Sequence, residues 1–282
     1  MDDDTSPLPG TEVHVLPSRA VGDEFKVLLG HCGDTRSSPP ATLWLTDANG
    51  YFGAAVDVIR GLQLEAHLPP MLVVGVGYPR GGLADTLDLR TRDLTPTDDP
   101  GSVWPGPGPQ RAGGGPNFLE FLCDELKPWV NERLPFDPAA TTFFGHSFGG
   151  LFGCWTLLTA PDTFARYVCV SPSLWWGESI VPNLLDTPSA ERAARARVYL
   201  AAGEHEDPPG RRLEVARVPP DPSTEALIAV DLLGDVRAFA ARLASTRPEL
   251  DVTFEELPGE FHITVAPLAL SHGLRTLFDA PR

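Results

Sequence analysis

The sequence has little positive charge. Lys and Arg together number 22 against 38 Asp and Glu, which gives a formal net charge of −16. A surface with this excess repels the phosphates of nucleic acids and of anionic lipids. We therefore expect neither nucleic acid nor a membrane surface as a partner, and an anionic ligand would need a local cluster of arginines.

Cysteine is scarce as well. None of the four cysteines belongs to a C-x-x-C pair or to a set with metal-ligand spacing: Cys32, Cys123, Cys154 and Cys169. The N-terminal stretch MDDDTSPLPGTEVH lacks the basic and apolar regions of a signal peptide, and no apolar run approaches membrane-spanning length. These absences predict a cytoplasmic protein with free thiols, no disulfides and no bound metal.

Hydrophobic residues make up 42% of the 282 residues, enough for a large core. Short runs rich in Val, Leu, Phe and Thr predict about eight strands, most of them apolar throughout, as in a parallel sheet buried on both faces. With helical patterns between them, they predict one α/β domain over residues 1–282. The predicted strands are Glu12–Leu16, Phe25–Leu29, Thr42–Leu45, Met71–Val76, Thr141–Phe144, Tyr167–Val170, Val198–Ala201 and Asp251–Glu255.

Periodic apolar residues predict a helix over Asn117–Arg133, in which Pro128 should cost a hydrogen bond or cause a kink. The other predicted helices are Phe52–Leu64, Gly150–Thr159, Ser223–Leu243 and Pro267–Phe278. A Pro/Gly-rich insertion loop is predicted at about residues 82–115. It is interpreted either as a mobile surface insertion or as a flap over a binding cleft.

A serine lies between a predicted strand and a predicted helix, in Gly145-His146-Ser147-Phe148-Gly149. This G-x-S-x-G pattern in that context is typical of a nucleophile elbow. The two glycines are needed because side chains there would clash in a strained turn. Ser147 is the predicted nucleophile, and the backbone N–H of Phe148 is a predicted donor to an oxyanion.

The predicted base is His262, which follows the last predicted strand and precedes the C-terminal helix. His146 is interpreted as local packing because its side chain should diverge from that of the adjacent serine. The loop GEHED after the next-to-last strand offers three acids to orient the base. We favour Glu206, with Asp207 and then Glu204 as alternatives. The chain order Ser, acid, His is that of the α/β-hydrolases.

A second oxyanion donor is expected in the loop after Thr42–Leu45. The candidate is the backbone N–H of Asn49, with that of Ala48 as an alternative. An Asn-Gly turn without any catalytic role is the competing interpretation.

Several stretches resemble the putative-esterase branch of the α/β-hydrolases, over about residues 12–278 and in the same order. They are LWLTDANGYF, VVGVGYP, RTRDLTPT, FLCDELKPWV, FFGHSFGGLFG, SPSLWWG and GEHE. The branch includes enterochelin (siderophore trilactone) esterases, S-formylglutathione hydrolase and mycolyltransferases, and the resemblance is nearest to the first group. It implies an α/β-hydrolase fold, with a mostly parallel sheet and helices on both faces.

The resemblance also implies roles for individual residues. Ser147 would be the nucleophile, His262 the base and Glu206 the acid. The resemblance leaves a Ser–His dyad as the alternative, because some siderophore esterases of this type work without the acid. Four further residues would bind substrate: Arg90 and Arg92 as cations in the cleft, and Trp175 and Trp176 as an aromatic wall or as packing.

We therefore predict a serine esterase that needs no cofactor and acts on a small-molecule ester, with siderophore trilactones as candidate substrates. The alternatives are an acyltransferase, a general carboxylesterase or thioesterase, and a non-catalytic binding protein of the same fold. The motif GVGYPRGG does not predict a dinucleotide site, because Arg80 stands where the third glycine belongs.

Overall fold

The computed structural model describes residues 8–98, 111–187, 195–216 and 228–279. Eight strands form one sheet in the order β1-β2-β4-β3-β5-β6-β7-β8. Strand β2 pairs antiparallel with β1 and with β4, and all other neighbouring strands are parallel. The strands are β1 (Thr11–Ser18), β2 (Asp23–Cys32), β3 (Ala41–Leu45), β4 (Met71–Gly77), β5 (Thr141–His146), β6 (Arg166–Val170), β7 (Arg197–Gly203) and β8 (Asp251–Leu257). The predicted strands and the mostly parallel sheet are confirmed.

Helices connect the strands in the described part of the chain. They are α1 (Ala48–Leu64), α2 (Leu87–Leu94), α3 (Gly115–Glu120), α4 (Lys127–Arg133), α5 (Phe148–Thr159), α6 (Trp176–Asn183), α7 (Pro208–Val215), α8 (Leu232–Thr246) and α9 (Val265–Phe278). Among the helices of these four ranges, none combines the length and hydropathy that crossing a membrane requires.

The sheet is buried on both faces, and strand β4 shows why its sequence is apolar throughout. Leu72 and Val74 belong to a core cluster that includes side chains of α3, α5 and α8. The intervening Met71 and Val73 belong to a second cluster with α1 and α9. Successive side chains of a strand point to opposite faces, so both sets must be apolar when helices cover both faces. The predicted helices on both faces are confirmed.

The helix predicted over Asn117–Arg133 is interrupted. The chain takes π-helical geometry over Phe121–Leu126 and returns to α-helix at Lys127–Arg133. Pro128, which has no N–H to donate to the preceding turn, lies two residues after the end of this wider segment. The disturbance of the helix predicted at Pro128 is therefore present, as a π-helical segment before the proline.

Two predicted elements differ from the structure. The helix predicted over Ser223–Leu243 is not continuous, because residues 229–231 are not helical. Helix α8 begins at Leu232, where Asp231 caps it by accepting a 2.9 Å hydrogen bond from the Gly234 N–H. Residues 217–227 lie outside the described part. The insertion loop predicted at 82–115 is wrong over its first third, where a 3₁₀ turn (Leu83–Thr86) leads into α2. Helix α2 buries mainly polar residues, so hydrophobic periodicity could not reveal it. Residues 99–110 of the predicted loop lie outside the described residues.

We predict that Phe152→Ala lowers the free energy of unfolding by about 3–5 kcal/mol, because a large cavity opens in the core. Phe152 is fully buried, with its ring centroid 5.3 Å from that of Phe118 and 5.9 Å from that of Phe143. Urea unfolding followed by circular dichroism measures the change. Leu64→Ala is the control: Leu64 is 90% exposed, so its loss should change stability by no more than about 0.5 kcal/mol. Equal effects of the two variants would contradict the described core.

Candidate active site

Polar side chains gather where the parallel strands end. Asp47 follows β3, Ser147 follows β5, Ser171 follows β6, Glu206 follows β7 and His262 follows β8. Carboxyl ends of parallel strands meet at one edge of a sheet, where α/β proteins place their sites. The topology thus brings residues that are far apart in sequence to a common edge.

Ser147 occupies a sharp turn between β5 and α5. Its backbone has φ 59° and ψ −114°, a left-handed region that residues with side chains seldom adopt. Its N–H donates to the carbonyl of Val170 at 2.9 Å. Its carbonyl accepts from the N–H of Leu151 at 2.9 Å and of Ser173 at 3.2 Å. Contacts from β6, from α5 and from the segment after β6 hold the strained conformation.

Glycines make this turn sterically possible. A Cβ atom on Gly145 would lie 2.2 Å from the carbonyl oxygen of Gly149. A Cβ atom on Gly149 would lie 2.4 Å from Oγ1 of Thr46. Both distances are far inside van der Waals contact, so neither position accepts a side chain without displacing backbone or the loop after β3. The steric interpretation of the G-x-S-x-G pattern is confirmed.

The hydroxyl of Ser147 is nearly buried, with 5% of the residue exposed. Its Oγ atom lies 3.4 Å from Oγ of Ser173, which is also buried. Between the described side chains of Ser147 and His262, the structure has no direct hydrogen bond. Hydrogen bonds between a nucleophile and its base are often long without substrate and shorten when substrate binds.

His262 is oriented by Glu206. Its Nδ1 atom donates a short hydrogen bond to Oε1 of the carboxylate. A neutral imidazole protonated at Nδ1 has Nε2 as its acceptor. The imidazole side chain keeps 16% of its surface exposed, while that of Glu206 has none. The structure thus brings together the predicted base and the favoured acid.

The carboxylate of Glu206 is saturated by donors. Its Oε2 atom accepts from Oγ of Ser171 at 2.5 Å and from the N–H of Gly203 at 2.8 Å. Nη2 of Arg211 lies 3.7 Å from Oε1. Burial by itself would raise the pKa of Glu206. Attraction to His262 and these hydrogen bonds outweigh burial and lower the pKa to about 2, so the group is ionised at neutral pH.

The other two acids of the loop have different partners. Oε2 of Glu204 accepts from the N–H of Gly259 at 2.7 Å. Oδ1 of Asp207 accepts from the N–H of Gly210 at 2.8 Å and caps α7. Among the described residues, no group of three or more His, Cys, Asp or Glu is placed to hold a metal ion. The geometry therefore singles out Glu206 from the three candidates.

His146 packs behind the base. Its ring centroid lies 4.5 Å from that of His262, and its Nδ1 lies 2.9 Å from the hydroxyl of Tyr51. Burial, together with repulsion from His262, lowers the pKa of His146 well below its ordinary value. A neutral ring in this position supports the imidazole of His262 without adding charge. The interpretation of His146 as packing agrees with this placement.

The two predicted oxyanion donors lie at the N-termini of helices. Phe148 is the first residue of α5, and Asn49 lies in the first turn of α1. The side chain of Asn49 is fixed to the end of β4, since Oδ1 accepts from the N–H of Tyr78 at 2.7 Å and Nδ2 donates to the Gly81 carbonyl at 2.8 Å. Their role as donors stays a prediction.

The two arginines predicted in the cleft are already paired. Arg90 is 4% exposed, and its Nε and Nη2 atoms each lie 2.8 Å from a carboxylate oxygen of Asp47. Arg92 pairs with Asp93 at 2.7 Å and with Asp23 at 2.7 Å. Both guanidinium groups are thus paired with carboxylates, and contact of either with substrate stays a prediction.

The predicted aromatic wall divides into two parts. Trp176 is 2% exposed, packs edge-on against Phe148 with ring centroids 5.2 Å apart, and donates from Nε1 to the carbonyl of Thr97 at 3.1 Å. Trp175 is partly exposed, with its ring centroid 6.2 Å from that of Phe148. Packing therefore accounts for Trp176, and Trp175 keeps surface that a substrate could contact.

Sequence analysis missed four residues that contact the predicted site: Tyr51, Asp47, Ser171 and Ser173. The stretch SPSLWWG carried a signal, because its two serines directly follow a predicted strand end. No pattern in the sequence indicated that Asp47 would meet Arg90.

Known proteins resemble this chain along nearly its whole length. A model of the family described as Putative esterase matches residues 18–219. The chain is 29% identical to ferri-bacillibactin esterase BesA of Bacillus subtilis, over 95% of this chain and 89% of that protein. The BES protein from Bacillus cereus has a TM-score of 0.81 at 24% identity, covering 100% of both chains. Siderophore hydrolase EstA from Aspergillus nidulans has a TM-score of 0.80 at 23% identity, covering 97% of each chain. These structures share the α/β-hydrolase fold.

We predict that acid weakens the fold through Glu206. Because its pKa is about 2 in the folded chain against an ordinary 4.5, its ionised form stabilises the fold above pH 4.5. That contribution, about 3 kcal/mol, should be lost as the pH falls from about 4.5 to about 2. Urea unfolding between about pH 6 and pH 3 measures it, with Glu206→Gln as the variant that lacks the titration. The two stability curves should converge on acidification, and parallel curves would contradict the assignment.

Proposed function

The chain belongs to the Putative esterase family, and we propose that it is a serine esterase that forms an acyl-enzyme on Ser147. The observation that carries this proposal is the hydrogen bond from Nδ1 of His262 to the buried, ionised Glu206. That bond orients the base at the sheet edge where the strained serine lies. A serine with a nearby general base that a third group orients is the arrangement typical of acyl transfer.

In the proposed mechanism, Nε2 of His262 removes the proton of Ser147 as its Oγ attacks an ester carbonyl. The imidazolium that forms is stabilised by the carboxylate of Glu206, which stays ionised throughout. The backbone N–H groups of Phe148 and Asn49 donate to the oxyanion of the tetrahedral intermediate. Losing one such donor typically raises the barrier by about 3–4 kcal/mol.

Collapse of the intermediate expels the alcohol, which takes its proton from His262. Water then attacks the acyl-enzyme with the same imidazole as base, and release of the acid restores the serine. In the structure, Oγ of Ser147 lies 3.4 Å from Oγ of Ser173 and makes no hydrogen bond to the described side chain of His262. The hydroxyl therefore has to turn toward the imidazole as substrate enters.

The proposed substrates are siderophore esters. The relative BesA is named as a ferri-bacillibactin esterase, and EstA as a siderophore hydrolase. The partly exposed ring of Trp175 beside Phe148 supplies a flat apolar surface for an aromatic part of such a ligand. Hydrolysis of cyclic trilactones, followed by mass spectrometry of the opened products, tests this substrate class.

We expect a fluorophosphonate probe to label the wild-type protein and to leave Ser147→Ala unlabelled, since the probe reacts with activated serines. In-gel fluorescence and the mass of the labelled peptide measure the result. Ser245→Ala is the matched control, because Ser245 is exposed and its hydroxyl donates only to a helix carbonyl. Equal labelling of wild type and Ser147→Ala would refute the nucleophile.

We expect Glu206→Gln to lower kcat for a p-nitrophenyl ester by about 10⁴-fold, because an amide can no longer hold the productive imidazole tautomer. Steady-state kinetics at neutral pH measure the loss. Glu204→Gln should keep most of the activity, since Glu204 is exposed and contacts a backbone N–H instead of the base. An unchanged kcat in Glu206→Gln would show that a Ser–His dyad suffices.

A further inference from the structure

We propose that the buried ion pair between Arg90 and Asp47 positions the oxyanion hole. It holds the loop after β3 against the nucleophile turn and keeps the Asp47 carboxylate away from the N-terminus of α1. This inference rests on the proposed esterase function, and it makes Arg90 a positioning residue and not a substrate ligand.

The first step concerns Asp47, which stands at the N-cap of α1. An N-cap aspartate ordinarily accepts a hydrogen bond from the second or third N–H of its helix. Asp47 makes no such bond, and its backbone lies in the left-handed region at φ 55° and ψ 36°. Both carboxylate oxygens instead accept 2.8 Å hydrogen bonds from Arg90. The arginine therefore takes the acceptor that would otherwise cap the helix.

The second step concerns the backbone N–H groups at the N-terminus of α1, which the Asp47 side chain does not cap. The carbonyl of Asp47 accepts from the N–H of Gly50 at 2.9 Å and of Tyr51 at 3.2 Å. Within the described part of the chain, the N–H groups of Ala48 and Asn49 have no acceptor. Unsatisfied N–H groups at a helix N-terminus form a site for an anion. The N–H of Asn49, the predicted oxyanion donor, and that of its alternative Ala48 therefore keep no capping acceptor because the Asp47 carboxylate is turned away.

The third step concerns the reach of Arg90 to the nucleophile turn. Its Nη2 atom lies 3.4 Å from the carbonyl oxygen of His146. Its guanidinium carbon lies 5.3 Å from the ring centroid of Phe148, whose N–H is the other predicted donor. One side chain thus contacts both halves of the proposed oxyanion hole, and it fixes their separation.

The fourth step concerns charge. Less than 5% of either residue is exposed. Burial opposes the charge on Arg90, but attraction to Asp47 outweighs it and raises the pKa of Arg90 above its usual value. Removing the arginine alone would leave an unpaired carboxylate beside the oxyanion hole, where it could cap α1 or repel an oxyanion. Removing both charges would leave no unpaired carboxylate. The effects of the two substitutions on kcat should therefore not be additive.

The test is a double-mutant cycle on p-nitrophenyl acetate, a neutral substrate with no anionic group to pair with an arginine. We expect Arg90→Gln to lower kcat by at least about tenfold, toward the 10²–10³-fold loss of a missing oxyanion donor, with little change in KM. Adding Asp47→Asn should restore kcat at least about tenfold over Arg90→Gln alone. A purely structural pair would show its rescue in the free energy of unfolding and would leave kcat of the folded variants unchanged.

Arg197→Gln is the matched control. Arg197 lies at the opposite edge of the sheet, where it pairs with Asp251 at 2.8 Å and donates to the carbonyl of Thr276 at 3.0 Å. It should lower the free energy of unfolding without lowering kcat. Equal kcat losses for Arg90→Gln and Arg197→Gln, or no rescue by Asp47→Asn, would overturn the inference.

Two further measurements keep the outcomes distinct. If Arg90→Gln fails to fold, Arg90→Lys replaces it. This variant keeps the positive charge but cannot make the paired hydrogen bonds to Asp47. An unchanged kcat in Arg90→Lys would overturn the inference. Fluorophosphonate labelling of the wild type reports on the esterase proposal separately. Labelling of the wild type with unchanged kcat in the Arg90 variants rejects the positioning role alone, whereas absent labelling and absent hydrolysis reject the proposed function.

Discussion

The site depends on how closely β5 and α5 meet at Ser147. Without side chains at Gly145 and Gly149, the backbone can turn at φ 59° and the serine N–H can reach the carbonyl of Val170. The next residue, Ser171, then donates from its N–H to the carbonyl of Ala201 at 2.7 Å and from its hydroxyl to Glu206. A continuous series of contacts therefore leads from the nucleophile turn across β6 and β7 to the acid. Any backbone shift at the turn would reach the carboxylate that orients the base.

Burial and partners, more than residue type, decide what each acid does. Glu204, Glu206 and Asp207 lie within four residues of sequence, yet one anchors a loop, one faces the imidazole and one caps a helix. Only the buried carboxylate gathers a hydroxyl, a backbone N–H and an imidazole. Those donors hold its pKa low in spite of burial, which keeps it negative opposite a base that must become positive.

The fold could be predicted because its signals are local. Eight apolar runs, helical periodicity between them and the G-x-S-x-G turn each lie within a few residues of sequence, and the structure confirms them. Helix α2 could not be predicted from hydrophobic periodicity. Arg90 and Arg92 are held there in ion pairs, at positions where an apolar stripe would be expected. The left-handed conformations of Asp47 and Ser171 were also hidden, since they depend on distant partners. The pairing of Arg90 with Asp47 was hidden in the same way.

The pairing of the arginines matters because the chain is strongly acidic, while the proposed reaction develops negative charge on a substrate oxygen. With a formal net charge of −16, the surrounding field opposes negative charge on a substrate oxygen. Arg90 and Arg211 lie close to the site, but each is already matched by carboxylates and adds little net positive field. Stabilisation by oriented dipoles at short range meets this constraint, and the two predicted donors lie at the N-termini of α1 and α5. In its proposed positioning role, Arg90 holds the loop after β3 against the nucleophile turn, so that local geometry matters more here than the number of cations.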